Sequence, residues 1–134
     1  MTENSRRADA KRRQEMAQAA ARQEAVSAKA LIDEFVAVAQ QRGLTPEPLQ
    51  AVLINGTRVK SDQVGWYLNR SRTLAITPAG EFLKLLTAAP ALARFTGVKL
   101  KPSPPPMYVG LGGRDGETGD LRDFLERMIA DYGG

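Results

Sequence analysis

The chain contains no cysteine and no histidine among its 134 residues. These absences exclude a disulfide framework, a thiolate nucleophile, a His-based triad or acid/base pair, and the zinc and iron–sulfur sites built from those ligands. Aromatic residues are scarce at 6%, with one Trp, three Tyr and four Phe, so any core must be largely aliphatic. No apolar run approaches the ~18 residues needed to span a bilayer. The N-terminus carries charge but no apolar h-region of a secretory signal, which leads us to expect a cytoplasmic protein. Asp, Glu, Lys, Tyr and Ser are what remain for catalysis, and no motif arranges them. The expectation is therefore a non-enzymatic chain with no cofactor and no metal.

The composition, with 43% hydrophobic and 25% charged residues, is that of a folded domain, and the length suits a single one. Charge is unevenly spread. The net value is +3 over residues 1–30, +4 over 31–109 and −3 over 110–134. A chain that is basic for most of its length and acidic at its end favours a polyanion partner, and head-to-tail self-association fits the same pattern. The two N-x-[ST] sequons, at Asn55 and Asn69, read as turn chemistry.

Residues 1–25 are Arg, Lys, Gln, Glu and Ala with almost nothing to bury. They are expected to form a basic mobile arm, nascent or solvent-facing helix at most. Residues 26–134 make the single domain. A helix is expected from near Val26, with Ala28, Leu31, Ile32, Phe35, Val38 and Ala39 as its apolar stripe and Gly43 as its C′ stop before Pro46 and Pro48. Residues 49–86 read as strands. The run 49–54 ends at Asn55-Gly56, which suits a type I′ hairpin turn. Next come Gly65-Trp66-Tyr67-Leu68, a polar turn at 69–72, the run 73–77, and a turn at Pro78-Ala79-Gly80 into 81–86. The gaps are too short for a parallel crossover, so an antiparallel β-meander of three or four strands is predicted.

The stretch from Thr77 also resembles a capped helix start, with Pro78 at N1, which would make 66–77 the wing of a winged helix. That reading requires two helices upstream, where 49–63 carries a hairpin signal, and strand is preferred. Residues 90–95 suit one helical turn, 98–100 a brief pairing, and Pro102 to Pro106 an extended run. A closing helix is expected from Leu121 to about Tyr132, with Leu121, Phe124, Leu125, Met128 and Tyr132 on one face and Asp120 as N-cap. The fold class is thus α+β: a long N-terminal helix, a small antiparallel meander and a C-terminal helix.

The Gly65-Trp66-Tyr67-Leu68 strand, the Pro104-Pro105-Pro106 stretch and the Gly112-Gly113-Arg114-Asp115-Gly116-Glu117 loop together resemble a group of small, functionally unassigned actinobacterial proteins. The likeness covers residues 26–132 and departs at 82–86, where that group's strand is more aromatic. It implies an α+β fold and brings no activity.

Several segments have features of a site. The Gly-rich loop at 110–119 offers backbone N–H groups ahead of a helix, but its spacing is not G-x-G-x-x-G and no Gly-Lys-[Ser/Thr] follows. Asp115, Glu117, Asp120 and Asp123 would repel phosphate there. Counted as a calcium loop from Asp115, the position that needs Gly is Asp120. A connector with a capped helix is the plainer reading. The stronger candidate is the set Arg6, Arg7, Lys11, Arg12 and Arg13, five cations in eight residues, which suits non-specific phosphate contact and equally a solubilising tail. Arg70 and Arg72 in the 69–72 turn, with Arg58 and Lys60, extend the surface. Trp66 is assigned to the core, and Tyr67 on the opposite strand face to the surface, where it could stack a base. These features point to a binding module for nucleic acid or another polyanion. The alternative is a protein-interaction adaptor that uses the N-terminal helix for self-association or partner binding and Pro104 to Pro106 for docking.

Overall fold

The computed structural model describes residues 2–90, 92–110 and 117–133. Helix α1 (Glu3–Gln41) is unbroken over 39 residues, with Thr2 as N-cap accepting from the Ser5 amide. The helix therefore begins at Glu3 and not near Val26. Residues 3–25 contain no Gly or Pro and are rich in strong helix formers, and the packed half of α1 supplies the nucleus that an isolated peptide lacks. The boundary near residue 26 marks burial instead. Among residues 2–24 only Asp9 is partly covered, and the first buried residue is Ala28. From there Ala28, Leu31, Ile32, Val36 and Ala39 are buried, with Phe35 and Val38 packed beside them. The helix stops in a Schellman motif: Gly43 (φ 69°) donates to Gln40 O at 3.1 Å and Leu44 to Ala39 O at 2.9 Å.

Five strands follow: β1 (Glu47–Leu53), β2 (Arg58–Tyr67), β3 (Leu74–Ile76), β4 (Phe82–Lys84) and β5 (Leu86–Thr87), in the sheet order β4-β3-β2-β1-β5. The α+β class holds, and residues 82–86 are strand, not helix. The turn between β1 and β2 differs from the expected type I′. Gly56 (φ 88°) is left-handed and Asn55 is not, Gly56 N donates to Leu53 O, and Leu53 N donates to Thr57 O, both at 2.8 Å. This is the three-residue loop with a glycine bulge, which needs only one positive φ. The same bonds recur between β3 and β4, where Gly80 N reaches Thr77 O and Thr77 N reaches Glu81 O. Thr77 Oγ1 accepts from Glu81 N, so the residue that resembled a helix cap holds a hairpin.

The sheet is not a pure antiparallel meander. β5 pairs with β1 in parallel, Val52 opposite Leu86 and Leu53 opposite Thr87. No crossover helix is needed, because β2, β3 and β4 themselves form the connection. β4 pairs with β3, so the two edges of the sheet are consecutive parts of one segment, joined at Leu85. Leu85 N donates to Thr73 O and Leu85 O accepts from Val52 N, each at 2.8 Å. The sheet thereby curls closed and buries both faces. Leu49, Ala51, Leu53, Val59, Tyr67, Ala75, Leu83 and Leu85 fill the inside with Leu100. Trp66, Leu68, Ile76 and Phe82 point outward against α1 and against α3 (Leu121–Gly133), which presents Leu121, Phe124, Leu125, Met128 and Ile129.

The remaining chain covers the rim. α2 (Ala93–Thr96) is a single turn, and Val98 bridges Ser61 of β2. The short strands β6 (Tyr108–Val109) and β7 (Gly119–Asp120) pair with each other before α3. Met107 N bonds Glu24 Oε1 at 3.0 Å, and Lys29 Nζ bonds Ala79 O at 3.3 Å, so α1 clasps both neighbouring connections. No described helix is long and apolar enough to cross a membrane.

Trp66 is 1% exposed, and its indole N–H has no hydrogen-bond partner among the described residues. Its value is therefore volume, and Trp66→Ala is expected to cost about 3–5 kcal/mol. Gly65 beside it faces the Ile76 carbonyl so closely that a methyl group cannot fit. Gly65→Ala should lose about 1–3 kcal/mol through backbone displacement. Urea denaturation of both variants, followed by circular dichroism, checks these values, and the parent should show blue-shifted indole emission. Water-like emission from the parent would place Trp66 at the surface.

Candidate functional site

The expected site residues fall in two places. Arg6, Arg7, Lys11, Arg12 and Arg13 lie on the unpacked half of α1. Arg13 precedes Ala28 by 15 residues, roughly 22 Å of helix at 1.5 Å per residue. At 3.6 residues per turn Arg6 and Arg13 share one face, Arg7 and Lys11 another, and Arg12 a third. The cations surround the helix and do not form one stripe. Arg7 pairs with Glu3 (3.7 Å) with both side chains exposed, a contact of little energetic weight, and Arg13 Nε donates to the Asp9 carbonyl at 3.4 Å.

Tyr67, Arg70 and Arg72 gather at the other place, the 69–72 turn. Asn69, 8% exposed, builds it from within. Its Oδ1 accepts from the amides of Thr73 (3.0 Å) and Leu74 (3.1 Å), and its Nδ2 donates to Thr73 Oγ1 (2.8 Å) and Ser71 Oγ (3.0 Å). Arg72 adopts the left-handed φ of 56° that lets β2 return as β3. The Arg58 guanidinium donates to the carbonyls of Ser71 (2.9 Å) and Arg72 (3.4 Å). Opposite them the Glu117 carboxylate accepts from the amides of Arg70 (3.1 Å) and Ser71 (2.9 Å). The turn is thus held between a cation on its carbonyls and an anion on its amides, each with the sign that the peptide dipole favours.

Tyr67 is a correction. It is 8% exposed and belongs to the inner cluster, because the curled sheet turns the second strand face into an interior. Its hydroxyl accepts from Gln50 N at 2.9 Å, and the Arg72 guanidinium lies over the ring, 5.2 Å from its centroid. A base cannot stack on a ring already covered by protein. Arg70 and Arg72 remain exposed.

Tyr132, which the sequence assigns only to the apolar face of the closing helix, and Glu47, which it does not single out, complete the neighbourhood. Tyr132, at the end of α3, donates to Glu47 Oε2 at 2.5 Å and accepts from Tyr67 N at 3.0 Å. This chain ties α3 to both β1 and β2. Burial, reinforced by the Glu47 carboxylate, pushes the Tyr132 phenol well above its usual pKa. Beside it lies a cleft of ≈ 500 Å³ lined by Glu47, Gln50, Lys60, Tyr67 and Arg72. Among the described residues no three acidic side chains gather to hold a metal ion. The glycines and Asp115 of the 111–116 loop lie outside the described residues. Comparison with family models, curated proteins and solved structures finds no match to this chain.

Tyr132→Phe should cost about 1–3 kcal/mol, because it leaves the Tyr67 amide without its acceptor. The folded phenol stays protonated where the unfolded one titrates, near 10. The unfolded chain therefore binds fewer protons above that pH, and the stability that Tyr132 contributes is constant below it and falls as pH rises past it. Denaturant melts on the two sides of about pH 10 should show this alkaline loss in the parent and a shallower one in the Phe variant.

Proposed function

We propose that this chain is a non-enzymatic intracellular binding module for nucleic acid or another polyanion, and that the unpacked half of α1 is its contact element. The observation that carries the reading is the combination of exposure and charge. Residues 2–24 add nothing to the core, yet they continue α1 in a single helix, and Arg6, Lys11, Arg12 and Arg13 have no carboxylate ion-pair partner among the described residues. A cationic rod with charge on all sides suits a phosphate backbone, which needs no one face. Arg70 and Arg72 at the turn add a second cationic point. With Tyr67 inside the sheet no aromatic platform accompanies them, so recognition rests on phosphates and is insensitive to base sequence.

Replacing Arg6, Arg7, Lys11, Arg12 and Arg13 with Gln keeps helix propensity and removes the charge. The slope of log affinity against log salt should then flatten by about 3.5 to 4.5 units, and binding at low salt should weaken equally for all sequences. Random single- and double-stranded oligonucleotides, titrated at several ionic strengths, provide the measurement. If the parent fails to bind at low ionic strength, the polyanion reading falls and the alternative adaptor, with the same exposed helix meeting a protein partner or a second copy, takes its place.

A further inference from the structure

The 69–72 turn holds a carboxylate in the way that anion-binding loops hold phosphate. Both oxygens of Glu117 are used, each by its own successive backbone amide, at 3.1 Å from Arg70 N and 2.9 Å from Ser71 N. We propose that this turn is a phosphate-binding site, and that Glu117 is its resident intramolecular competitor.

Three observations carry the proposal. First, the turn keeps its shape by other means: Asn69 makes four side-chain hydrogen bonds across it, Arg72 N donates to Asn69 O, and Arg58 caps two of its carbonyls. The two amides are therefore preorganised whether or not Glu117 is present. Second, exposed cations lie on the same turn as the amides. Arg70 and Arg72 are exposed on the turn, and Arg58 lies on its far side. The acids that line the adjoining cleft are Glu47, whose Oε2 is engaged by the Tyr132 hydroxyl, and Asp131. Third, Glu117 belongs to neither hydrophobic cluster, and it reaches the turn from 46 residues away, just before β7. Its departure uncovers no core. A phosphate offers the same pair of acceptor oxygens with more charge, and the exposed guanidinium groups can supply further donors.

The site would take a phosphate group as a terminal monoester or as a backbone diester. It deepens the polyanion reading by giving that partner a second contact, and it is tested apart from the arm. Amide resonances of the full chain are followed while inorganic phosphate, or an oligonucleotide without terminal phosphate, is added at constant ionic strength. Because a tethered carboxylate competes at a high effective concentration, Glu117→Ala should bind roughly tenfold more tightly than the parent, with Glu117→Gln shifted in the same direction. Arg70 and Ser71 amides should move most, and Arg70→Gln with Arg72→Gln should reverse the gain. Response to inorganic phosphate alone selects the monoester, and response to the oligonucleotide selects the diester. Equal affinities in the parent and Glu117→Ala, or shifts confined to the arm, would overturn the proposal. So would displaced Thr73 and Leu74 amides in both Glu117 variants, since Glu117 would then be a structural part of the turn. Loss of oligonucleotide binding in the arm variant leaves the inorganic phosphate measurement unaffected.

Discussion

Leu85 is bonded on two sides, through its amide to Thr73 and through its carbonyl to Val52, and much of the fold follows from that double engagement. One segment of six residues serves as both edges of the sheet, so no long unpaired edge is left between β3 and β1. Closure also creates the inner cluster. A sheet of this size with one buried face would have a single layer against the helices; here the same strands send Trp66, Ile76 and Phe82 outward to α1 and α3 and Tyr67, Ala75 and Leu83 inward. For a chain with eight aromatic residues, burying both faces is how a largely aliphatic domain gathers enough apolar area.

The closure explains which sequence inferences succeeded. Amphipathic helices carry their own period, so the stripes at Leu31, Ile32 and Ala39 and at Leu121, Phe124 and Leu125 were legible, as was the stop at Gly43. Trp66 was legible for another reason, since the one Trp of an aliphatic domain belongs to the packing. Tyr67 was misplaced because alternation identifies the partner face but not whether that face meets water. The available signal was the lack of alternation: 82–86 reads Phe-Leu-Lys-Leu-Leu, and 66–68 is apolar at three successive positions. Such runs belong to strands buried on both sides. The parallel pairing of β5 was invisible, since it joins residues more than 30 apart through two bridges.

The two halves of α1 show how propensity and packing divide the work. Beyond Ala28 the helix is held by Ile32, Val36 and Ala39 against α3, and its composition matters little. Before it, a stretch rich in Ala, Arg, Lys, Gln and Glu sustains the helix, with the Thr2 cap at one end and the packed turns at the other. Burial rather than secondary structure changes near residue 26, and composition alone revealed the change in burial but not the continuity of the helix. A rigid connection has a consequence for binding: charges on a helix keep fixed spacing, so less ordering entropy is lost on contact than with a disordered tail.

The candidate turn was only half legible for a related reason. Arg70, Arg72 and Asn69 are contiguous and announce a polar turn, but Arg58 and Glu117 come from 13 and 46 residues away and decide its electrostatics. Their contributions oppose each other in sign and not in function. Arg58 neutralises carbonyls that the left-handed Arg72 turns outward, and no mobile ligand could do that job without leaving the turn unsupported. Glu117 neutralises amides, which any anion of similar geometry satisfies equally well. The first contact belongs to the architecture, and the second is the one that the proposed site would exchange, on the amide side of the turn beside Arg70 and Arg72.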